Sequence, residues 1–250
     1  MRYLRFLSGI FLAIVLFGCT GLQRRDGELT ITGQHPEMYK AKITKTIECG
    51  YLLYLPPEYG KEDKEWPMIL FLHGVGERGN DLEKVKMHGP PKLVSQGKDF
   101  PFVIVSPQCP DGEWWNSEVL VNLVDYVVEN YSIDPDRVYL TGLSMGGFGT
   151  WGLSSEYPDR FAAVAPICGG GIPKAAKYIK GVKELPYWVF HGAKDSVVPI
   201  SESETMVKYY KEEGVDIRFT IYPDATHDSW TETYNNPELY EWFLKHKRKK

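Results

Sequence analysis

The segment Gly142-Leu143-Ser144-Met145-Gly146-Gly147 directly follows the apolar run Val138-Tyr139-Leu140-Thr141 and precedes a stretch with helical character. In a G-x-S-x-G turn of this kind the serine sits on a strained strand-to-helix junction that exposes its hydroxyl at the top of a sheet. The flanking glycines answer a steric demand, because side chains at 142 and 146 would collide with neighbouring backbone. A chain carrying this turn must supply a strand that ends at the serine and a helix that begins there. Ser144 is thereby the leading candidate nucleophile. Small Ser/Gly turns also occur in proteins that catalyse nothing; what favours the chemical reading is the order of candidate partners downstream, Asp195 and then His227.

Around the turn, short apolar runs alternate with helical patterns, as in a parallel sheet with crossover helices. Strands are expected at Tyr51 to Leu55, Met68 to Leu72, Phe102 to Ser106, Val138 to Thr141, Ala162 to Pro166, Tyr187 to His191 and Ile217 to Tyr222. Several are apolar throughout instead of alternating, the pattern of strands buried on both faces. Leu120, Leu123, Val124, Val127, Val128 and Tyr131 recur at helical spacing, and a turn is expected over Ser132-Ile133-Asp134-Pro135-Asp136 before the strand that carries Ser144. Met206, Tyr209 and Tyr210 mark a second amphipathic helix. Pro237 opens a third that holds Leu239, Tyr240, Phe243 and Leu244, a position where the missing N–H of proline goes unused. The sequence carries no internal repeat or low-complexity linker. The interval between the strands near Pro166 and Tyr187 leaves little room for a helical lid, so an open cleft is expected. The fold class read from this pattern is α/β over residues 37–250, with a mostly parallel central sheet, helices on both faces and no large lid.

The 250 residues suffice for one α/β domain with a substantial core, and the 43% apolar and 25% charged shares are those of an ordinary globular chain. A formal charge of −4 gives no reason to expect a nucleic-acid partner. The basic cluster Lys245-His246-Lys247-Arg248-Lys249-Lys250 reads as a solvated helix end favoured by the helix dipole. At the other end, Met1-Arg2-Tyr3-Leu4-Arg5 leads an apolar stretch from Phe6 to Phe17 that is short for a permanent span and reads as an export signal over residues 1–18. Leu16-Phe17-Gly18-Cys19 resembles the lipobox of bacterial lipoproteins, although Phe17 is larger than that pattern prefers. The resemblance implies lipidation at Cys19, a membrane partner through that lipid anchor, and a tether over residues 19–36. With Thr20 after the cysteine, it implies the outer membrane or cell surface in a Gram-negative source. Cys49, Cys109 and Cys168 would then meet an oxidising compartment. Cys109 and Cys168 both follow expected strands and are open either to pairing or to burial as free thiols; Cys49 is expected to pack as a small hydrophobe.

A serine hydroxyl needs a base within hydrogen-bond reach and a third group to orient that base. His227 lies in a loop after the last strong strand, and Asp195 in a loop after the strand before it, so both emerge at one edge of a parallel sheet. Asp224 and Asp228 are competing acids, but their closeness to His227 in sequence makes them awkward partners. His73 and His191 each precede a glycine at a strand end, which favours packing or loop positioning over base catalysis; His35, His88 and His246 are the remaining histidines. A tetrahedral intermediate also needs donors for its oxyanion. One is expected from the backbone N–H of Met145. The other is assigned to Val75, in the run His73-Gly74-Val75-Gly76-Glu77-Arg78-Gly79 after a buried strand.

These motifs, with Ser106-Pro107-Gln108-Cys109-Pro110, Asp134-Pro135-Asp136-Arg137-Val138-Tyr139, Pro166-Ile167-Cys168-Gly169-Gly170 and His191-Gly192, resemble the serine esterases of the α/β-hydrolase superfamily. The branch is that of carbohydrate esterase family 1, polyhydroxybutyrate-depolymerase-like proteins and prolyl-oligopeptidase-like predicted peptidases. The resemblance runs from about Tyr51 to Leu244 and implies a Ser144, Asp195, His227 triad. It is specific for fold and triad and poor for substrate.

Gln108, the adjacent Trp114 and Trp115, and Trp230 are candidate substrate-binding residues, since tryptophan faces stack on sugar rings or aromatic acyl groups. The competing reading for the tryptophans is loop anchoring, and for Gln108 a hydrogen bond to its own turn. The expected reaction is hydrolysis of feruloyl or acetyl esters on soluble or polysaccharide-linked carbohydrate. A prolyl-oligopeptidase-type peptidase and a non-catalytic binding lipoprotein are the rivals. No metal ligand spacing, C-x-x-C pair or nucleotide-binding glycine pattern is present, so neither a metal nor an organic cofactor is expected.

Overall fold

The computed structural model describes residues 36, 38–42, 44–61 and 63–248. It divides into two units, Met1–Lys45 and Thr46–Lys250. In the first, the described residues are exposed and carry no regular structure. The export signal over 1–18, Cys19 and all of the tether but Pro36 lie outside the described residues. Among the described residues, every strand and helix belongs to the second unit.

Seven strands form one sheet: β1 Tyr51–Tyr54, β2 Trp66–Leu72, β3 Val103–Pro107, β4 Ile133–Leu143, β5 Ala163–Ile167, β6 Tyr187–Gly192 and β7 Ile217–Tyr222. Their order is β1-β3-β2-β4-β5-β6-β7. β1 pairs antiparallel with β3, and every other pairing is parallel. Each parallel step is bridged by helix: α1 Gly89–Ser95, α2 Ser117–Asn130, α3 Met145–Glu156, α4 Ala175–Tyr178 and α5 Ser201–Glu212, with α6 Trp230–Asn235 and α7 Pro237–Lys245 after the last strand.

The fully apolar strands are explained by two cores. Along β2, Met68, Leu70 and Leu72 enter one apolar cluster with Leu120, Val124 and Val127 of α2, Trp151 of α3 and Tyr210 of α5. Ile69 and Phe71, pointing the opposite way, enter another with Tyr234, Leu239 and Phe243 of α6 and α7. Each such side chain contributes about 1.5–3 kcal/mol on burial, and a strand between two cores collects this at every position. That is why alternation is lost in β2, β5 and β6, all buried from end to end.

One element departs from expectation. The turn chemistry of residues 132–136 is present, with Asp134 Oδ1 accepting the Asp136 N–H at 2.9 Å. Yet Ile133 pairs with Trp66, so β4 starts at Ile133, and the irregularity is absorbed as a register shift between Trp66 and Met68. Between β5 and β6 the described chain holds only α4 and a 3₁₀ turn at Val182–Glu184.

Candidate active site

The functional side chains gather where the parallel strands end. β4 stops at Leu143, and Ser144 takes φ 53° and ψ −118° as the residue before α3, a backbone region that costs a non-glycine residue of order 1–3 kcal/mol. The glycines around it leave no alternative. A Cβ on Gly146 would stand 2.0 Å from Leu72 O, and one on Gly142 would stand 2.5 Å from Gly146 O, so backbone would meet backbone at both positions. Ser144 N–H donates to Ile167 O at 3.0 Å, pinning the turn to the end of β5.

Two further loops converge on the serine. At the end of β6, Gly192 packs so closely under the loop after β7 that a Cβ there would lie 2.2 Å from Thr226 O. Lys194 N–H donates to Ala225 O at 3.0 Å, tying the same two loops together. This contact sets His227 over Asp195. Ser144 Oγ and His227 Nε2 are 2.9 Å apart, and His227 Nδ1 is 2.8 Å from Asp195 Oδ2. Asp195 Oδ1 accepts from the N–H groups of Val197 and Val198, each at 2.9 Å. Burial pushes the Asp195 carboxyl upward. The hydrogen bond from His227 and the two from Val198 and Val197 outweigh it and hold the group below its ordinary value. Asp195 therefore stands as a carboxylate ready to fix the Nδ1–H tautomer of His227. The competing acids are engaged elsewhere: Asp224 with Lys194 at 2.7 Å, and Asp228 with the Thr231 N–H and hydroxyl.

Beside Ser144, the loop after β2 forms a 3₁₀ turn over Val75–Glu77. Val75 and Met145 each open a helical turn, where backbone N–H groups have no intrahelical acceptor. Among the described residues neither donates to a protein acceptor outside its helix. The loop is braced from outside. Arg78 Nε donates to Val75 O at 3.2 Å and Arg78 donates again to Glu113 O at 3.0 Å. His73 is fully buried; its Nδ1 donates to Gly74 O at 2.6 Å and its Nε2 accepts the Cys109 N–H at 3.0 Å. Burial lowers its pKa to about 4, keeping the ring neutral. His191 is likewise buried, between Ser203 Oγ at 2.8 Å and Val198 O at 3.0 Å.

The expected substrate-binding residues separate into different roles. Gln108 is buried, and its amide nitrogen donates to Glu77 O and Asp81 O, both at 2.8 Å, so it staples the loop instead of facing a ligand. Trp115 lies tilted against the His73 ring at 4.7 Å between centroids, donates to His73 O at 3.2 Å and packs against Gly149. It anchors the loop. Trp230 is 9% exposed and stands edge-on to His227 at 5.1 Å, bracing the imidazole. Trp114 alone of the four presents a free face: it is 64% exposed and meets the half-buried Phe148 edge-on at 6.3 Å.

Cys49, Cys109 and Cys168 are free thiols, Cys49 partly buried against the core. Cys168 follows β5 with φ 41°, and its sulfur lies within 4.8 Å of ligand atoms of Asp195 and His227. Burial pushes this thiol up to about 12, so it stays protonated at neutral pH. Sequence reasoning did not single out Glu77, whose carboxylate lies inside the loop after β2.

The model of the dienelactone hydrolase family matches residues 111–241. The chain is 29% identical over 188 residues to a bifunctional acetylxylan esterase/xylanase of Neocallimastix patriciarum, covering 70% of this chain and 26% of that protein. It is 34% identical over 195 residues to poly(3-hydroxyalkanoate) depolymerase C of Paucimonas lemoignei, covering 60% of this chain and 46% of that protein. The chain thus spans about half or less of both relatives. Among solved structures, one titled a thermostable esterase superposes with a TM-score of 0.69 at 33% identity, over 81% of this chain and 60% of that one. The sheet order and this likeness show an α/β-hydrolase fold.

Proposed function

The chain belongs to the dienelactone hydrolase family, and from that premise we propose that it is a serine hydrolase of carboxylic esters, with Ser144 as nucleophile, His227 as base and Asp195 as orienting acid. The observation that carries this reading is the continuous hydrogen-bonded line from Ser144 Oγ through both ring nitrogens of His227 to Asp195. His227 Nε2 takes the serine proton as Oγ bonds to the ester carbonyl carbon, and the Asp195 carboxylate stabilises the imidazolium so formed. Charge gathering on the former carbonyl oxygen is met by the N–H groups of Met145 and Val75. The imidazolium then gives its proton to the departing alcohol as the C–O bond breaks, leaving an acyl group on Ser144. Water, deprotonated by His227, bonds to the acyl carbon; the bond from that carbon to Ser144 Oγ then breaks, Oγ takes the proton back from His227 Nε2, and the carboxylic acid leaves.

The substrates we propose are acetyl and feruloyl esters of carbohydrate. The acetylxylan esterase named above and the free face of Trp114 at an edge without a large lid support this. A fluorophosphonate probe is expected to label the native protein and not Ser144→Ala; absence of labelling in folded protein would point to a binding protein instead. On a substrate panel, acetylated and feruloylated oligosaccharides should turn over while peptide anilides do not. Turnover of simple aryl esters alone would remove the carbohydrate assignment, and preference for anilides would replace the esterase by a peptidase. Export and lipid attachment at Cys19 complete the proposal; palmitate incorporation lost in Cys19→Ala is the expected result.

A further inference from the structure

Resting on the ester-hydrolase reading above, we propose that Glu77 is a positioning residue for the oxyanion donor: its buried carboxylate takes the Gly74 N–H and thereby fixes the turn that presents the Val75 N–H. Glu77 is 8% exposed, and an acid so buried must have its oxygens satisfied. Glu77 Oε2 accepts the Gly74 N–H at 2.9 Å across the 3₁₀ turn, the bond that closes the loop from within. The loop is closed from without by Gln108 on Glu77 O and by Arg78 on Val75 O. Val75 lies between these ties, with its N–H left for a ligand.

Position excludes a favourable electrostatic contribution to the oxyanion. A Cβ built on Gly74 would be 3.2 Å from Glu77 Oε2 and 3.7 Å from Ser144 Cβ, so a single glycine separates the carboxylate from the nucleophile. A negative charge this near a developing oxyanion opposes it. Nearby histidines do not cancel that charge by a close contact. His73 Nδ1 stands 4.0 Å away with its proton on Gly74 O, and His88 Nε2 stands 3.7 Å away while its Nδ1 accepts from Trp230. What Glu77 supplies is an acceptor at a fixed place.

An acceptor role and a charge role predict different variants. Glu77→Ala removes the acceptor; Glu77→Gln keeps an oxygen and removes the charge. With p-nitrophenyl acetate, Glu77→Ala is expected to lower kcat by about 10–100-fold with KM changed less than about threefold, the signature of lost transition-state stabilisation. Phenylboronic acid, which adds to Ser144 Oγ as a tetrahedral anion, should lose affinity by a similar factor. Glu77→Gln should restore both to within about threefold of the native protein. Unchanged kcat in Glu77→Ala, or Glu77→Gln as impaired as Glu77→Ala, would overturn the assignment. Amide hydrogen exchange reads the same turn without turnover: Gly74, whose N–H is the one Glu77 holds, should exchange faster in Glu77→Ala and at the native rate in Glu77→Gln, while β2 is unchanged. If the native protein hydrolyses no ester, the function proposed above fails by itself. The exchange result then decides for or against Glu77.

Discussion

At the scale of single residues, the site is a set of hydrogen bonds whose donors and acceptors leave little choice. Asp195 receives two backbone N–H groups on one oxygen and His227 on the other, so the imidazole can only present Nε2 to Ser144. Asp195→Asn keeps the shape but offers an amide N–H where an acceptor is required, which turns the His227 tautomer over. The expected loss in kcat is about 10³–10⁴-fold with KM little changed, measured by steady-state kinetics on an aryl acetate. A fall below tenfold would mean that another group orients the base. Trp114 makes a different kind of contribution, since it is largely exposed and meets Phe148 edge-on. Trp114→Ala should raise KM for feruloylated oligosaccharide about tenfold or less, the scale of one lost stacking contact. An unchanged KM would leave that face without a role in binding.

Among elements, the convergence of three loops depends on one close approach. With Thr226 O at 2.2 Å and Ala225 O at 2.5 Å from the place where a Cβ would stand, Gly192→Ala can be accommodated only by moving the loop that carries His227. The strain of such overpacking is about 1–3 kcal/mol. Turnover should fall at least a hundredfold while the protein still melts cooperatively, read by activity beside thermal denaturation; near-native kcat would show that the loop is not held where the structure has it. This contact was not visible in the sequence, although the strands on either side were. β2, β5 and β6 are legible because burial on both faces makes them continuous apolar runs. The elbow and the order of Ser144, Asp195 and His227 are legible because steric and chemical need restrict which residues can stand there. What sequence cannot express is the direction in which a side chain turns. Gln108 and Trp115 stand in the expected loop but face inward, and Glu77 serves the backbone of its own turn. The start of β4 escaped for a related reason: local turn chemistry at Asp134 coexists with a long-range pairing of Ile133 to Trp66.

For the whole molecule, pH acts through groups that burial holds neutral and through the bonded acid. His73 titrates near 6.5 when unfolded and near 4 in the folded chain, because burial penalises its charged form. As pH falls between these values the unfolded chain takes up the proton first, so stability is lost across that window with a slope approaching about 1.4 kcal/mol per pH unit and a total of at most about 3 kcal/mol. Asp195 acts further down. Its folded carboxyl lies below the ordinary value of 3.8, so its contribution is complete above that value and disappears as pH falls through the folded one. On the alkaline side, burial raises Cys109 to about 11 and Cys168 to about 12, and unfolded thiols ionise first above about 9. Stability should therefore be highest between about pH 7 and 9, fall in two stages on acidification, and fall again in strong base. Urea midpoints taken across this range would trace the profile. His73→Gln can still accept the Cys109 N–H but cannot titrate, so it should flatten the stage between pH 6.5 and 4 by one proton's slope and leave the lower stage in place. If that stage keeps its full slope in the variant, the proton belongs to another group, and the neutral imidazole bridging the oxyanion loop and the loop after β3 is not what the acid limb reports.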